Sequence, residues 1–176
     1  MTVCLNYNAD DEYYTPRVLV DMIIPFISKG AKIWCPFDTK NSEFVLGFQE
    51  AGFYTIHSHK WYGYDFLVYE PEDYDIIVSN PPYSIKMEVL ARLRCLDKPF
   101  AMLMPLNILS YHSVCNHFTD KDLQLLIPNK RVSFDGNMSP FNSVYFCSKL
   151  LPKDLIITNV SNSNVGKNHV PSRMEL

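Results

Sequence analysis

The feature that most constrains the fold of this chain is a short apolar run that ends in two consecutive prolines. Residues 76–78 are Ile, Ile and Val, a β-branched run typical of a strand buried on both faces of a parallel sheet. Pro81 and Pro82 end this strand, because proline has no backbone N–H to donate to a neighbouring strand. Open α/β sheets bind their ligands at the carboxyl ends of such strands. We therefore expect the segment after this strand to lie at a functional edge of the sheet.

That segment is Asn80-Pro81-Pro82-Tyr83, and its groups suit chemistry at a planar amine. Such an amine is a weak nucleophile, because its lone pair is delocalised. The side-chain oxygen of Asn80 and the carbonyl of Pro81 can accept its two N–H groups, which favours a pyramidal nitrogen without a strong base. Tyr83 offers an aromatic face on which a flat substrate can stack. The alternative is an ordinary turn, since Asn-Pro and Pro-Pro are common turn dipeptides.

Residues 80–83 resemble the Asn/Asp-Pro-Pro-Tyr/Phe motif of amino-methyltransferases that use S-adenosylmethionine, above all the DNA adenine-N6 methyltransferases. Upstream, Tyr13-Tyr14-Thr15-Pro16 resembles the Tyr-x-Thr-Pro element that helps such enzymes to hold the methionine end of the cofactor. The resemblance is greatest to small phage-encoded members and covers roughly residues 10–155. It implies a catalytic role for Asn80, Pro81, Pro82 and Tyr83, and cofactor contacts by Tyr14, Thr15, Pro16 and Asn80.

The function that the resemblance implies is transfer of a methyl group from S-adenosylmethionine to adenine N6 in DNA. Asn80 and Pro81 would orient the amine, and Tyr83 would stack the base after its extrusion from the duplex. The same motif occurs in enzymes that methylate guanine N2 in RNA or a glutamine amide in protein, and the Thr-Pro element favours DNA. The predicted core accounts for most of the chain and leaves little for a separate target-recognition domain. Target selection would then depend on a partner protein, a homodimer or the loop 129–142.

The remaining cofactor candidates follow the first two predicted strands. In the family, glycines after the first strand let the backbone approach the cofactor, whereas the loop here has none and offers Asp38 as a partner for the ammonium group. The family places a ribose-binding carboxylate after the second strand, where this chain has His57-Ser58-His59. Asp65-Phe66 resembles the family's adenine contact. The resemblance thus assigns cofactor contacts to Pro36, Phe37, Asp38, His57, Ser58, Asp65 and Phe66.

These departures from the family pattern leave a hypothesis of another class, a degenerate methyltransferase that serves as a non-catalytic binding module. His57 and His59 are spaced to share one strand face, but no third ligand is evident, so no metal site is predicted. For the substrate, the resemblance places an aromatic residue at Phe141 against the extruded base. Lys130 and Arg131 are the best phosphate contacts, with an ordinary surface role as the alternative.

Charge is unevenly distributed along the chain, although the net charge is only −3. Residues 1–83 carry 5 Lys or Arg against 12 Asp or Glu, and residues 84–176 carry 11 against 7. An acidic first half would suit a cationic sulfonium cofactor, and a basic second half could face phosphate. Plain variation of a solvated surface explains the asymmetry equally well.

The length of 176 residues predicts one domain, residues 1–158, followed by a polar and flexible tail, residues 159–176. The five cysteines are odd in number and contain no Cys-x-x-Cys pair, which favours reduced thiols in the cytoplasm, or in the host cytoplasm if the chain is phage-encoded. No apolar run is long enough to span a membrane, and no secretory signal is visible.

Hydrophobic periodicity predicts alternating helices and strands. Helices are expected from the Thr15 cap to Gly30, from Ser42 to Gly52, after Ser84, and over 107–118. Strands are expected at 31–34, 53–57, 66–69, 74–79, 100–104, 123–127 and 144–151. The alternation predicts an α/β fold in three layers, and the missing crossover helix between the last two strands makes one of them antiparallel. The resemblance implies the Rossmann-like class I methyltransferase fold, a mostly parallel seven-stranded sheet with an antiparallel last strand.

Overall fold

The computed structural model describes residues 14–112, 114, 118, 122–134 and 142–160, and these residues contain seven strands and three α-helices. The strands are β1 Lys32–Cys35, β2 Tyr54–His57, β3 Ile76–Ser79, β4 Phe100–Pro105, β5 Gln124–Pro128, β6 Ser143–Ser148 and β7 Leu155–Thr158. The helices are α1 Arg17–Ile23, α2 Glu43–Glu50 and α3 Lys86–Leu96, with 3₁₀ helices at Ile24–Phe26, Lys60–Tyr62, Tyr83–Ile85 and Leu106–Ser110.

The strands form one sheet in the order β2-β1-β3-β4-β6-β5-β7. β6 runs antiparallel to both of its neighbours, and every other neighbouring pair is parallel. The predicted strand at 144–151 is therefore confirmed as β6 and as the antiparallel one. It is not the last strand, because the chain turns at Lys149 and returns as β7, a strand that the sequence did not predict.

Helices cover both faces of the sheet, which confirms the three layers. Leu19 of α1 and Phe44 of α2 pack on one face, and Leu90 of α3 packs on the other. In β3, Val78 points to the first face and Ile77 to the second, and all four residues of the strand are buried. This two-sided burial is the reason for the continuous apolar run, because a strand in the middle of three layers has no solvent face.

A close approach of α1 to α2 depends on Gly47. A Cβ atom at this position would lie 2.9 Å from Cγ1 of Val20, closer than packed carbons tolerate. Beside this contact, Arg17 of α1 donates to Glu50 at 2.7 Å and to Asp21 at 2.8 Å. The absence of a side chain at Gly47 therefore sets how α1 and α2 pack together.

The predicted strand at 66–69 is wrong, because this segment is a turn. The side-chain carboxylate of Asp65 accepts the N–H of Leu67 at 3.0 Å. The backbone carbonyl of Asp65 accepts the N–H groups of Val68 and Tyr69. An aspartate that binds backbone groups two residues ahead stabilises a turn in preference to a strand. Phe66, Leu67 and Tyr69 pack against the core from this turn, whereas Val68 is exposed.

Two predicted helix starts are shifted. Thr15 does not cap α1; Pro16 occupies the cap position and the helix begins at Arg17. Ser84 lies within a 3₁₀ turn, and α3 begins at Lys86. Pro25 shortens α1 as expected, because it has no N–H for a further α-helical turn, and a 3₁₀ segment follows.

The predicted helix over 107–118 is observed in part, as a 3₁₀ helix from Leu106 to Ser110, and much of its remainder lies outside the described residues. Of the predicted tail, only Asn159 and Val160 are described. Val160 is buried, and its N–H binds the side-chain oxygen of Asn129 at 3.0 Å. Within the described ranges, no helix has the length and hydropathy to cross a membrane.

Candidate active site

The connections of the sheet create a crevice between the carboxyl ends of β1 and β3. β1 leads through α2 to β2 on one side, whereas β3 leads through α3 to β4 on the other side. Adjacent strands whose connections diverge leave such a crevice, and open α/β proteins bind ligands there. The segments 36–38 and 80–83 follow these two strands, so the topology brings two groups of predicted site residues to the same place.

Asp38 and Ser79 connect the two sides of this crevice. The Ser79 hydroxyl donates a hydrogen bond to the Asp38 carboxylate, and both side chains are buried. Burial raises the pKa of Asp38 to about 6, against hydrogen bonds from Ser79 and Ser42 and the charge of nearby His59, which oppose the rise. Asp38 is thus a buried carboxylate held by hydroxyls, a suitable partner for an ammonium group.

The loops after β1 and β2 are tied together by backbone bonds. The N–H of Ser58 donates to the carbonyl of Cys35 at 3.1 Å, and the N–H of Asp38 donates to the carbonyl of Ser58 at 3.2 Å. The Ser58 hydroxyl accepts the indole N–H of Trp34 at 2.9 Å and is buried. Ser58 therefore supports the loop from within, whereas His57 is exposed at the end of β2.

The structure places Phe66 in the core, which differs from its expected place against adenine. Its ring is only 1 % exposed and packs 5.3 Å from Trp34 and 5.1 Å from Phe37, measured between ring centroids. A ring enclosed in this way has no open face for a ligand. The Asp65 carboxylate is engaged in its own turn.

Trp61 is a candidate that the sequence analysis missed. Its side chain is 66 % exposed, and its ring lies 4.3 Å from the buried ring of His59. The backbone N–H of Trp61 also donates to Nδ1 of His59 at 3.2 Å, which holds Trp61 beside the end of β2. The signal in the sequence was the group Trp61-Tyr62-Gly63-Tyr64, since three exposed aromatic residues just after a strand rarely serve the core.

The 80–83 segment lies at the edge as expected. Pro81 and Pro82 are buried, and the side-chain oxygen of Asn80 is shielded from solvent. The Tyr83 hydroxyl lies 3.3 Å from Oγ of Ser143, at the start of β6. This contact fixes Tyr83 to β6, which lies beyond β4 in the sheet, and leaves its ring half-buried.

The upstream candidates precede α1. Tyr14 is exposed, Thr15 is buried, and Pro16 caps the helix. Because the chain runs from α1 to the amino end of β1, the start of α1 lies toward the opposite, carboxyl edge. Tyr13, which shares the predicted element with these residues, lies outside the described residues.

Arg131 also reaches this edge. Its Nε donates to the side-chain oxygen of Asn142 at 2.8 Å, and the carbonyl of Asn142 accepts the N–H of Leu106 just after β4. Lys130 is exposed beside it, after the carboxyl end of β5. Phe141, the predicted partner of an extruded base, lies outside the described residues.

The residues present offer partners for the ammonium and the adenine of S-adenosylmethionine, but not the family's glycines or its ribose-binding carboxylate. Asp38 supplies a buried anion for the ammonium, and Trp61 supplies an open aromatic face. The loop after β1 lacks glycine, Pro36 is buried in it, and no carboxylate follows β2 directly. His57 is the exposed polar group at the ribose position. In the described residues, no three His, Cys, Asp or Glu side chains cluster as metal ligands would.

Of the comparisons with known proteins, one solved structure supports the architecture. No protein-family model matches the sequence, and no curated protein matches it. A solved structure from Listeria monocytogenes, named provisionally as a class I S-adenosylmethionine-dependent methyltransferase, superposes with a TM-score of 0.51 at 10% identity and covers 89% of this chain and 68% of that chain.

A second structure, from Agrobacterium tumefaciens and named as an O-methyltransferase by prediction, gives a TM-score of 0.44 at 9% identity, over 82% of this chain and 85% of that chain; at that similarity it carries no argument. The first similarity concerns the fold, because 10% identity says nothing of substrate. The sheet order, the three layers and this neighbour together show that the chain has the Rossmann-like class I methyltransferase fold.

Proposed function

We propose that this protein transfers a methyl group from S-adenosylmethionine to the exocyclic amine of adenine in DNA. The observation that carries the proposal is the hydrogen bond from Ser79 to Asp38. It sets the carboxylate suited to the cofactor beside the end of β3, which Asn80 directly follows. The fold supports methyl transfer in general, and the two acceptors of residues 80 and 81 support a planar amine as the group that is methylated.

The cofactor supplies an electrophilic methyl group on a sulfonium. In the proposed site, Asp38 binds the cofactor's ammonium, and Trp61 lies against its flat adenine. Asn80 and Pro81 accept the two N–H groups of the substrate amine, so that its lone pair points away from the ring and toward the methyl group. The nitrogen loses a proton to water after it has become positively charged, so no buried base is required.

A radiolabel assay tests this proposal. Full-length protein is incubated with tritiated S-adenosylmethionine and adenine-containing DNA, RNA or a glutamine-containing protein. We expect label in DNA as N6-methyladenine, and a loss of about 10²-fold or more for Asn80→Ala, the magnitude typical of a lost transition-state hydrogen bond. Asn159→Ala is the matched control, because Asn159 is exposed beyond β7 and binds Asn129.

The outcomes separate the substrates. Equal background incorporation by the wild type and Asn80→Ala would refute methyl transfer by this site. Label in RNA or protein that is lost with Asn80→Ala would keep the chemistry and replace DNA as the substrate. Target selection is proposed to come from a second copy of the chain, a separate partner or the loop 129–142, since the elements among the described residues belong to the sheet and the helices that cover it.

A non-catalytic binding module is the second candidate, and the buried Pro36 in a glycine-free loop favours it. Calorimetry with S-adenosylmethionine distinguishes the two. Micromolar binding that is lost in Asp38→Asn supports the enzyme, whereas no heat at millimolar cofactor, with folded and cofactor-free protein, supports the module.

A further inference from the structure

Two cationic side chains lie at opposite ends of Tyr83. At the backbone end, Nζ of Lys86 donates to the Tyr83 carbonyl at 3.0 Å. At the other end, the Tyr83 hydroxyl lies 3.3 Å from Oγ of Ser143, and the preceding residue, Asn142, accepts a hydrogen bond from Nε of Arg131 at 2.8 Å. The Tyr83 carbonyl therefore contacts one cation directly, and the Tyr83 hydroxyl is linked to a second cation through Ser143 and Asn142.

Arg131 differs from the other arginines that the structure describes. Arg17, Arg92 and Arg94 each lie within 4 Å of a carboxylate, at 2.8, 3.5 and 3.2 Å. Arg131 binds the neutral amide of Asn142 through Nε, and among the described residues it forms no ion pair. No carboxylate of the described residues neutralises its charge, and its two terminal NH₂ groups have the geometry that recognises a phosphate.

Lys86 is held in a similar way by neutral groups. Its ammonium lies between the Tyr83 carbonyl and the ring of Tyr111, 5.7 Å from the ring centroid. A carbonyl and an aromatic face orient an ammonium without cancelling its charge. Tyr111 follows the 3₁₀ helix after β4 and is partly exposed, so Lys86 stands at the same edge of the sheet as the crevice.

We propose that Lys86 and Arg131 hold the backbone phosphates on the two sides of the nucleotide whose base stacks on Tyr83. The inference rests on the proposed function and adds to it the means by which the site selects a polynucleotide strand. A nucleotide within a strand carries one phosphate on each side of its sugar, and Tyr83 has one cation at its carbonyl and another linked to its hydroxyl through Ser143 and Asn142. A glutamine side chain in a protein offers no such pair of anions.

Contacts of this kind position a strand without reading its sequence. They therefore suit a chain in which no separate element for target recognition is seen among the described residues. They also predict a strong dependence of binding on salt, because each phosphate that a cation neutralises releases a counterion.

The test measures binding of the full chain to a fluorescein-labelled adenine-containing oligonucleotide, single-stranded and duplex, by anisotropy at several salt concentrations. We expect Lys86→Met and Arg131→Gln each to weaken binding several-fold. We also expect each to lower the slope of log affinity against log salt by about 0.7 for the single strand and 0.9 for the duplex, the value of one phosphate contact. Lys86→Arg should restore both quantities, and the affinity for S-adenosylmethionine should stay at the wild-type value.

The chain offers a matched control for Lys86. Nζ of Lys98 donates to the carbonyl of Tyr74 at 3.3 Å and lies 5.3 Å from the Tyr74 ring centroid, so it has the same kinds of partner. Lys98 precedes β4 and so stands at the opposite edge of the sheet. Lys98→Met should leave the salt slope unchanged. Arg94→Gln, which removes an arginine paired with Asp122, is the corresponding control for Arg131.

The outcomes distinguish this inference from the proposed function. If the wild type binds and methylates DNA while both variants keep its affinity and slope, the phosphate role is wrong and the proposed function stands. If the variants lose one phosphate contact each on an RNA oligonucleotide that is methylated in place of DNA, the phosphate role is supported and the DNA assignment fails. If the wild type binds neither nucleic acid, both are refuted.

Discussion

The Ser79 hydroxyl donates a hydrogen bond to the Asp38 carboxylate, and this bond joins the ends of β3 and β1. Ser79 is completely buried and is followed directly by Asn80. Asp38 begins the polar part of the loop that leads to α2. A buried hydrogen bond thus connects the proposed cofactor-binding residue, Asp38, with the strand that precedes the proposed amine-binding residue, Asn80. A substitution at either position should therefore alter the other.

Asp38→Asn is expected to stabilise the fold while it weakens cofactor binding. The pKa of Asp38 is raised from 3.8 to about 6 by burial, so keeping this group ionised at pH 7 costs about 3 kcal/mol. The amide keeps an oxygen for Ser79 and removes this cost, so the free energy of unfolding should rise by about 1 to 3 kcal/mol at pH 7. Denaturant unfolding measures this gain, and calorimetry should show at least a tenfold loss of S-adenosylmethionine affinity. A destabilised variant that binds cofactor normally would contradict both expectations.

The Asp38 contribution to the free energy of unfolding should fall as the pH rises, because folding raises the pKa of the Asp38 carboxyl. Between about pH 4 and pH 6, the folded protein holds a proton on Asp38 that the unfolded chain has lost. The contribution of Asp38 to stability therefore falls as the pH rises through this range and is lowest above pH 6. Unfolding curves of the wild type and Asp38→Asn should converge toward pH 4 and separate by pH 7; parallel curves would show that Asp38 titrates normally.

Ser79→Ala is expected to raise the pKa of Asp38 further. The Ser79 hydroxyl stabilises the ionised carboxylate, and so does that of Ser42, so removal of either donor favours the protonated form. An NMR titration of the Asp38 side-chain carbon measures the change. Ser148→Ala, which removes a buried hydroxyl from the far end of β6, should leave this titration where it is.

Trp61→Ala is expected to lower the affinity for S-adenosylmethionine without affecting the fold. Stacking of an aromatic pair contributes about 0.5 to 1.5 kcal/mol, which corresponds to about a 2- to 12-fold weaker affinity. The indole is mostly exposed, so the melting temperature should change little. Tyr54→Ala is a control of equal exposure at the amino end of β2. Equal affinities for both variants would remove Trp61 from the site.

Gly47→Ala is expected to destabilise the protein, although alanine is the better helix former. The helix propensity favours alanine by about 1 kcal/mol. The added Cβ would lie 2.9 Å from Cγ1 of Val20, a stiff and fully buried side chain, so α1 and α2 would have to separate. We expect a net loss of about 1 to 2 kcal/mol by thermal or denaturant unfolding. Gln49→Ala, on the exposed face of α2, should be neutral or slightly stabilising.

Local patterns predicted the elements whose burial is complete. The run at 76–78 indicated a central strand, and it is β3, buried on both faces. The same signal failed at 66–69, where an apolar sequence of similar length is held in a turn by Asp65. It also missed β7, whose residues alternate between exposed and half-buried positions at the edge of the sheet. Short apolar segments do not reveal by themselves which neighbours they will have.

By itself, the sequence determined that a buried strand ends in a polar and aromatic segment at the edge of an α/β sheet, because prolines and β-branched residues act locally. Only the tertiary structure decided which other residues meet that segment. Asp38 reaches Ser79 across 41 positions of the chain, and Arg131 reaches the neighbourhood of Tyr83 through Asn142 and Ser143. Such contacts follow from the order and direction of the strands, which long-range packing sets and no local pattern records.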